Sequence, residues 1–253
     1  FGKQEQISDW EFIKKYRKNK KVKPKDKILV PYDKNILNIF QHFYCQSWIE
    51  EGISVETMKK YNILYSTWQQ KIIIPHYDMN NNLVGVRSRA LLPDDIELFG
   101  KYAPFKIGNK FYNHSLGLNL YNLNNSKDNI KRMGKAIVFE SEKSTLQFQS
   151  YFGLENDISV ACCGSSVSSY QIQLLIEAGA CEIIIAFDRQ FQELGDNEFK
   201  RLKAKLLSLH KKYKNEVLIS FIFDKHLITS YKASPTDEGP EKFMRLFKER
   251  IIL

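Results

Sequence analysis

Glu182-Ile183-Ile184-Ile185-Ala186-Phe187-Asp188 is an apolar, β-branched run with an acid at each end. It is too short for a core helix and reads as a strand buried on both faces, the kind found in parallel sheets. Upstream, Ala136-Ile137-Val138-Phe139 followed by Glu140 has the same form. Segments 158–162 and 217–224 add two more such strands. Helical patterns separate them: Glu142–Phe152, a helix capped by Ser168 or Ser169 and stopped by Gly179, the amphipathic segment 196–213, and a last helix opening near Pro240. Strands alternating with helices imply a parallel sheet covered on both faces, with right-handed crossovers. Such sheets bind ligands beyond the carboxyl ends of their strands. Glu140, Asp188 and Asp224 all fall at strand ends, where acids can converge on a divalent cation. Mg²⁺ needs only one or two carboxylates beside substrate phosphates. One acid after a strand is ordinary loop chemistry; three in one sheet point to a site.

The first half is mixed. Segment 33–47 places Ile36, Leu37, Ile39, Phe40, Phe43 and Tyr44 near helical spacing. Ser47-Trp48-Ile49 opens a short helix that Gly52 ends, and Ser54 is an N-cap with Thr57 at N3. Lys71–Tyr77 and segment 83–89 predict a hairpin joined by Asp78-Met79-Asn80-Asn81-Asn82. Arg87 and Arg89 then share one strand face, and a same-face guanidinium pair suits phosphates. The fold class is α/β: a parallel sheet with helices on both faces, preceded by a smaller mixed α+β basic subdomain. The division is 1–30 as a basic linker or arm, 31–134 as the subdomain, and 135–253 as the sheet domain.

Charge follows this division. Residues 1–134 hold 22 Lys/Arg against 13 Asp/Glu, a net of +9, whereas 135–253 hold 16 of each. Lys14, Lys15, Arg17, Lys18, Lys20, Lys21, Lys23, Lys25 and Lys27 form a dense run; a solvated tail is the commoner outcome for such a run alone. The asymmetry between halves is the stronger sign of a polyanion-binding surface. With 43% apolar and 26% charged residues in 253, the chain is globular. No apolar run approaches the roughly 20 residues of a membrane span. Phe1 begins no signal-peptide pattern, so the sequence reads as a piece of a cytoplasmic protein. Cys45, Cys162, Cys163 and Cys181 form no C-x-x-C pair, which argues against a structural zinc site or a disulfide framework. Cys162 and Cys163 are expected to pack. His42, His76, His114, His210 and His226 show no ligand spacing and are expected on the surface or in structural roles. Trp48 and Trp68 are expected in the core, and the lysines of 200–214 on the polar face of a helix.

Residues 135–237 resemble the TOPRIM domain shared by bacterial-type primases, topoisomerases and some nucleases. Val138-Phe139-Glu140-Ser141-Glu142-Lys143-Ser144 is similar to the strand leading into E-G-x-x-D or E-G-E-K-D. Ala161-Cys162-Cys163-Gly164-Ser165-Ser166 resembles A-x-x-G-T/S. Ala186-Phe187-Asp188-Arg189-Gln190 stands where the family has D-x-D, and Tyr231-Lys232-Ala233-Ser234-Pro235-Thr236-Asp237 resembles K-D-x-P-x-D. The first half narrows the choice. Ile74-Pro75-His76-Tyr77-Asp78 with Leu83-Val84-Gly85-Val86-Arg87-Ser88-Arg89-Ala90-Leu91 is similar to the primase pattern F-P-I-x-D … V-I-G-F-x-x-R-x-L. Lys101-Tyr102-Ala103-Pro104 resembles K-Y-x-x-S-P, Leu120-Tyr121-Asn122-Leu123 resembles L-Y-G-L, and the stretch from Trp48 to Ile53 resembles the segment holding R-G-I/L. In order and spacing the chain resembles the RNA-polymerase core of a bacterial-type (DnaG-like) DNA primase of phage or mobile-element origin. It departs at Gln190, Ala233, Ser141, Asn122 and Leu116.

The resemblance implies short RNA primers made on a single-stranded DNA template from ribonucleoside triphosphates, with Mg²⁺ or Mn²⁺. A replicative helicase would be reached through regions outside this chain. Glu140 and Asp188 are the expected catalytic and metal residues, with Asp237 in support and Asp224 a weaker ligand; Glu140 could instead act as a general acid or base. Arg87, Arg89, Lys101, Tyr102 and Lys143 are the expected nucleotide or nucleic-acid contacts. Other readings are a nucleic-acid-binding relative whose site has decayed, favoured by Gln190 and Ala233, and a TOPRIM nuclease.

Overall fold

Local chemistry starts and stops the elements much as the sequence predicts. The computed structural model describes residues 28–253. The lysine run expected to form a basic arm therefore lies outside the described residues. Helix α1 (Gln46–Glu50) is followed by α2 (Val55–Lys60), whose first turn is capped where the Thr57 N–H donates to Ser54 Oγ, 3.1 Å. Strands β1 (Leu64–Ser66), β2 (Lys71–Tyr77), β3 (Leu83–Ala90) and β4 (Tyr102–Pro104) form an antiparallel sheet in that order, with α3 (Pro93–Phe99) between the last two. A ribbon of β5 (Lys106–Ile107) and β6 (Lys110–Phe111) follows.

Helix α4 (Leu123–Met133) leads into the second sheet. There β7 (Lys135–Phe139), α5 (Glu142–Phe152), β8 (Ser159–Ala161), α6 (Ser169–Glu177), β9 (Glu182–Ala186), α7 (Asn197–Tyr213), β10 (Leu218–Phe221) and α8 (Pro240–Lys248) alternate as predicted. A last strand, β11 (Ile251–Ile252), completes the order β11-β10-β9-β7-β8. Pairings among β7 to β10 are parallel. The β10–β11 pairing is antiparallel, an edge that two residues of sequence do not announce. Ser168 closes a capping box with Gln171, and Asp196 caps α7.

Two expectations fail. Segment 33–47 is not one helix: a short 3₁₀ turn covers Lys34–Ile39, and Gln41 then bridges to Tyr65, because backbone pairing with β1 overrides the apolar spacing. Trp68 is 54% exposed rather than core; it lies stacked on Phe40 with ring centroids 5.6 Å apart. Trp48 is fully buried.

The halves share packing. Trp48, Ile53, Met58, Ile72 and Ile74 from the first half pack with Leu146, Ala161 and Cys163 from the second. Buried Asp157 accepts from Asn122 Nδ2 at 2.8 Å and from the Tyr61 hydroxyl, and Tyr121 bridges to Ala161. The antiparallel sheet is thereby held against the carboxyl edge of the parallel one. No helix among the described residues is long and apolar enough to cross a membrane.

Candidate active site at the carboxyl edge of the parallel sheet

After β7 the chain crosses to β8 on one side, and β9 then pairs on the other side of β7. The crevice between β7 and β9 is thus a topological switch point, where open α/β sheets bind ligands. Their register, Phe139 opposite Ala186, carries Glu140 and Asp188 just past the ends of neighbouring strands, near enough for the Asp188 charge to act on Glu140. Burial together with the Asp188 charge pushes the Glu140 carboxyl up to about 7. Burial and the Asp237 charge push Asp188 up to about 6. Neither acid makes an ion pair within the described residues. Asp188 Oδ1 is buried with no hydrogen-bond partner, and Glu140 Oε1 receives a long 3.4 Å bond from Gln190 Nε2, with the Asp188 backbone also turned to the Glu140 carboxyl. Unsatisfied hard oxygens of this kind fit a Mg²⁺- or Mn²⁺-type cation. A cleft of about 370 Å³ opens beside Asp188, lined by Gln190, Glu198, Tyr231 and Lys232.

The other predicted site residues divide. Lys143, in the first turn of α5, reaches Asp237 Oδ1 at 2.6 Å and Glu51 Oε2 at 2.5 Å. Arg89 Nη1 donates to the Tyr102 hydroxyl at 2.9 Å, and its Nη2 lies 3.6 Å from Glu51 Oε1. Lys101 is exposed, and partial burial with the nearby charges of Arg89 and Lys143 lowers its pKa. These groups make a cationic rim next to the acids. Asp224 stays apart. Its carboxylate is consumed by its own loop, accepting from the N–H groups of Ile228 and Thr229 and from Thr229 Oγ1 at 3.0, 2.8 and 2.7 Å.

Arg87 and Arg89 do share a face: their guanidinium carbons lie 5.6 and 5.5 Å from the Tyr102 ring centroid. Arg87 is nevertheless turned inward, with Nη1 donating to Glu142 Oε1 at 2.6 Å. His76 Nε2 meets the same oxygen at 3.0 Å. Burial opposes ionisation of Glu142, but Arg87 and His76 outweigh it and hold the carboxyl near 2. Cys163 completes a buried trio with His76 and Glu142, their donor atoms within 4.8 Å of one another. That trio offers the nitrogen, oxygen and sulfur donors of a zinc-type site. Arg87 already supplies its positive charge.

Sequence reasoning missed this network, and it missed Glu51 and Gln147. Gln147 donates to the Glu51 carbonyl at 2.9 Å and accepts from Thr236 Oγ1 at 2.8 Å, tying the Asp237 loop to α1. The signals for Glu142 are its place in the stretch similar to E-G-E-K-D and at the first turn of α5.

No family model matches the sequence. It is 34% identical over 254 residues to the SPbeta prophage-derived uncharacterized protein YorJ of Bacillus subtilis (strain 168), an alignment covering 97% of this chain and 66% of that protein. The fold superposes on the zinc-binding and RNA polymerase domains of the Aquifex aeolicus primase with a TM-score of 0.64 and 18% identity, over 87% of this chain and 60% of that one. For a DnaG primase catalytic domain bound to ssDNA the TM-score is 0.62 at 17% identity, over 86% and 77%. For the E. coli primase catalytic core it is 0.60 at 18%, over 82% and 73%.

The chain has the fold of a DnaG-type primase core. Within that primase-core fold the switch-point crevice carries Glu140 and Asp188, and the cationic rim draws Arg89 and Lys101 from the antiparallel sheet and Lys143 from α5. The chain spans about two thirds of its prophage-derived relative and 60% of the Aquifex chain.

Proposed function

We propose that this primase-core fold joins ribonucleotides into short RNA on a single-stranded DNA template, using Mg²⁺ or Mn²⁺ held by Glu140 and Asp188. The observation that carries the reading is the acid pair itself. Two adjacent carboxylates sit at the switch point with no cation partner among the described residues, one of them with a buried, unpartnered oxygen. The reaction is attack of a primer 3′-hydroxyl on an α-phosphate, forming one P–O bond as pyrophosphate departs. It demands positioning and charge neutralisation more than covalent help. A divalent ion there supplies Lewis acidity for the hydroxyl and the leaving oxygen. Glu140 and Asp188 act as ligands once deprotonated. Exposed Lys101 and the edge of Arg89 offset phosphate charge, with Tyr102 fixing the Arg89 fork. Arg87 acts through Glu142, holding the first turn of α5 and therefore the loop that carries Glu140.

The test combines calorimetric Mn²⁺ titration with labelled ribonucleotides and single-stranded DNA, wild type against Asp188→Ala. Wild type should bind the ion and extend primers. The variant should lose at least about 100-fold in both, beyond the usual cost of perturbing an outer-shell partner. Ion binding and synthesis unchanged in Asp188→Ala would sink the assignment. DNA binding with neither ion nor product in wild type would leave a binding-only relative, the reading that neutral Gln190 favours.

A further inference from the structure

We propose that Lys143 is a built-in cation of the site, which takes Asp237 and Glu51 out of metal binding and leaves Glu140 and Asp188 to hold a single divalent ion. The inference rests on the acid pair being the metal site. Both oxygens of Asp237 are engaged: Oδ1 by Lys143 at 2.6 Å, Oδ2 by the Ser234 N–H at 2.9 Å. Both oxygens of Glu51 face cations, Lys143 at 2.5 Å and Arg89 at 3.6 Å. The Lys143 side chain is only 12% exposed, so its ammonium is a fixed charge rather than a solvated one. Gln147 clamps both partners by holding the Glu51 backbone and Thr236 beside Asp237. The ammonium thus bridges two carboxylates as a metal ion would.

What remains is a matched count. Glu140 and Asp188 bring two negative charges, and one divalent ion neutralises them. Gln190, which reaches Glu140, brings a neutral amide that donates instead of adding a carboxylate, and Glu198 across the cleft is paired with Arg201 at 3.2 Å. A second ion would have to displace Lys143 from both of its partners. Where two-ion sites clamp the attacking and the leaving oxygens with one ion each, this site has one ion position and one ammonium.

The experiment is Mn²⁺ titration of the full chain, counted by calorimetry and by electron paramagnetic resonance of free Mn²⁺, with far-UV circular dichroism of every variant. Wild type should bind one ion. Lys143→Met frees Asp237 and Glu51 and should bind two. Asp237→Asn should still bind one, with affinity within about tenfold of wild type, the lower bound for disturbing a real ligand shell. Two ions in wild type, one ion in folded Lys143→Met, or a larger loss in Asp237→Asn overturns the proposal. If Lys143→Met fails to fold, Asp237→Asn decides. Asp188→Asn reports on the underlying reading separately. Loss of the ion there with Lys143→Met still at one sinks only the built-in cation, whereas no ion in wild type sinks both.

Discussion

Strand β9 has an acid at each end, and the two ends are built on opposite principles. At the amino end Glu182 is saturated. Arg250 grips it with Nε at 2.8 Å and Nη2 at 3.2 Å, Ser220 donates at 2.6 Å, and Lys135 stands 3.1 Å away. Burial opposes its charge, but the Arg250 fork, Ser220 and Lys135 prevail and hold its carboxyl near 2. At the carboxyl end Asp188 has an orphaned oxygen and is pushed up to about 6. One carboxylate is spent on holding β7, β10 and β11 together. The other is left costly and available. Unmet electrostatic demand, rather than acidity alone, separates a site from a strut.

The largest effect should come from breaking the strut. Glu182→Ala strands Arg250, whose side chain is 14% exposed, and takes the shared carboxylate from Ser220 and Lys135 as well. Losing one partner of a buried pair costs about 3–5 kcal/mol, and the lower end applies because Lys135 can turn to water. Urea unfolding should show about 3 kcal/mol lost with ion binding kept. The opposite end should respond in the opposite direction. In ion-free buffer at pH 8, Asp188→Asn removes an unpaired buried charge and should raise the melting temperature by about 2–4 °C, as about 1 kcal/mol does for a chain of this size. A lower melting temperature for Asp188→Asn would mean that Asp188 is a strut as well.

The strut and the site were unequally legible. Parallel strands buried on both faces announce themselves as apolar runs, so β7, β9 and the acids that follow them could be read directly. What the acids meet could not. His76 and Glu142 are 66 positions apart, and Lys143 and Glu51 are 92 apart. No local periodicity encodes such pairings; they arise when the antiparallel sheet docks on the carboxyl edge. Arg87 shows the limit well. Alternation correctly placed it beside Arg89, yet whether a guanidinium faces phosphate or a buried glutamate depends on Glu142, which belongs to the other half. Segment 33–47 fails for the same reason at smaller scale: a pairing with Tyr65 decides what its own spacing does not.

The finest discrimination between the two ends is in pH. Glu182 has a folded-state pKa near 2, below its unfolded value, so the unfolded chain takes up the proton first as pH falls. Its contribution is present above about pH 4.5 and is lost as pH drops toward 2. Asp188 is raised to about 6, so the folded chain binds the proton more tightly; stability declines as pH rises from about 4 to 6 and the penalty persists above that. Without divalent ions the two ends therefore impose slopes of opposite sign in neighbouring windows. Glu182→Gln should flatten only the acid limb in a chemical-denaturation series from pH 2 to 8, and Asp188→Asn only the decline above about pH 4, which it softens up to about 7 because the Asp188 charge also raises Glu140. Added Mn²⁺ should cancel the second slope in wild type and leave the first untouched, because an ion bound only by the folded chain holds Asp188 ionised. If both variants flatten the same limb, the two acids share one environment and the contrast between the ends of β9 does not hold.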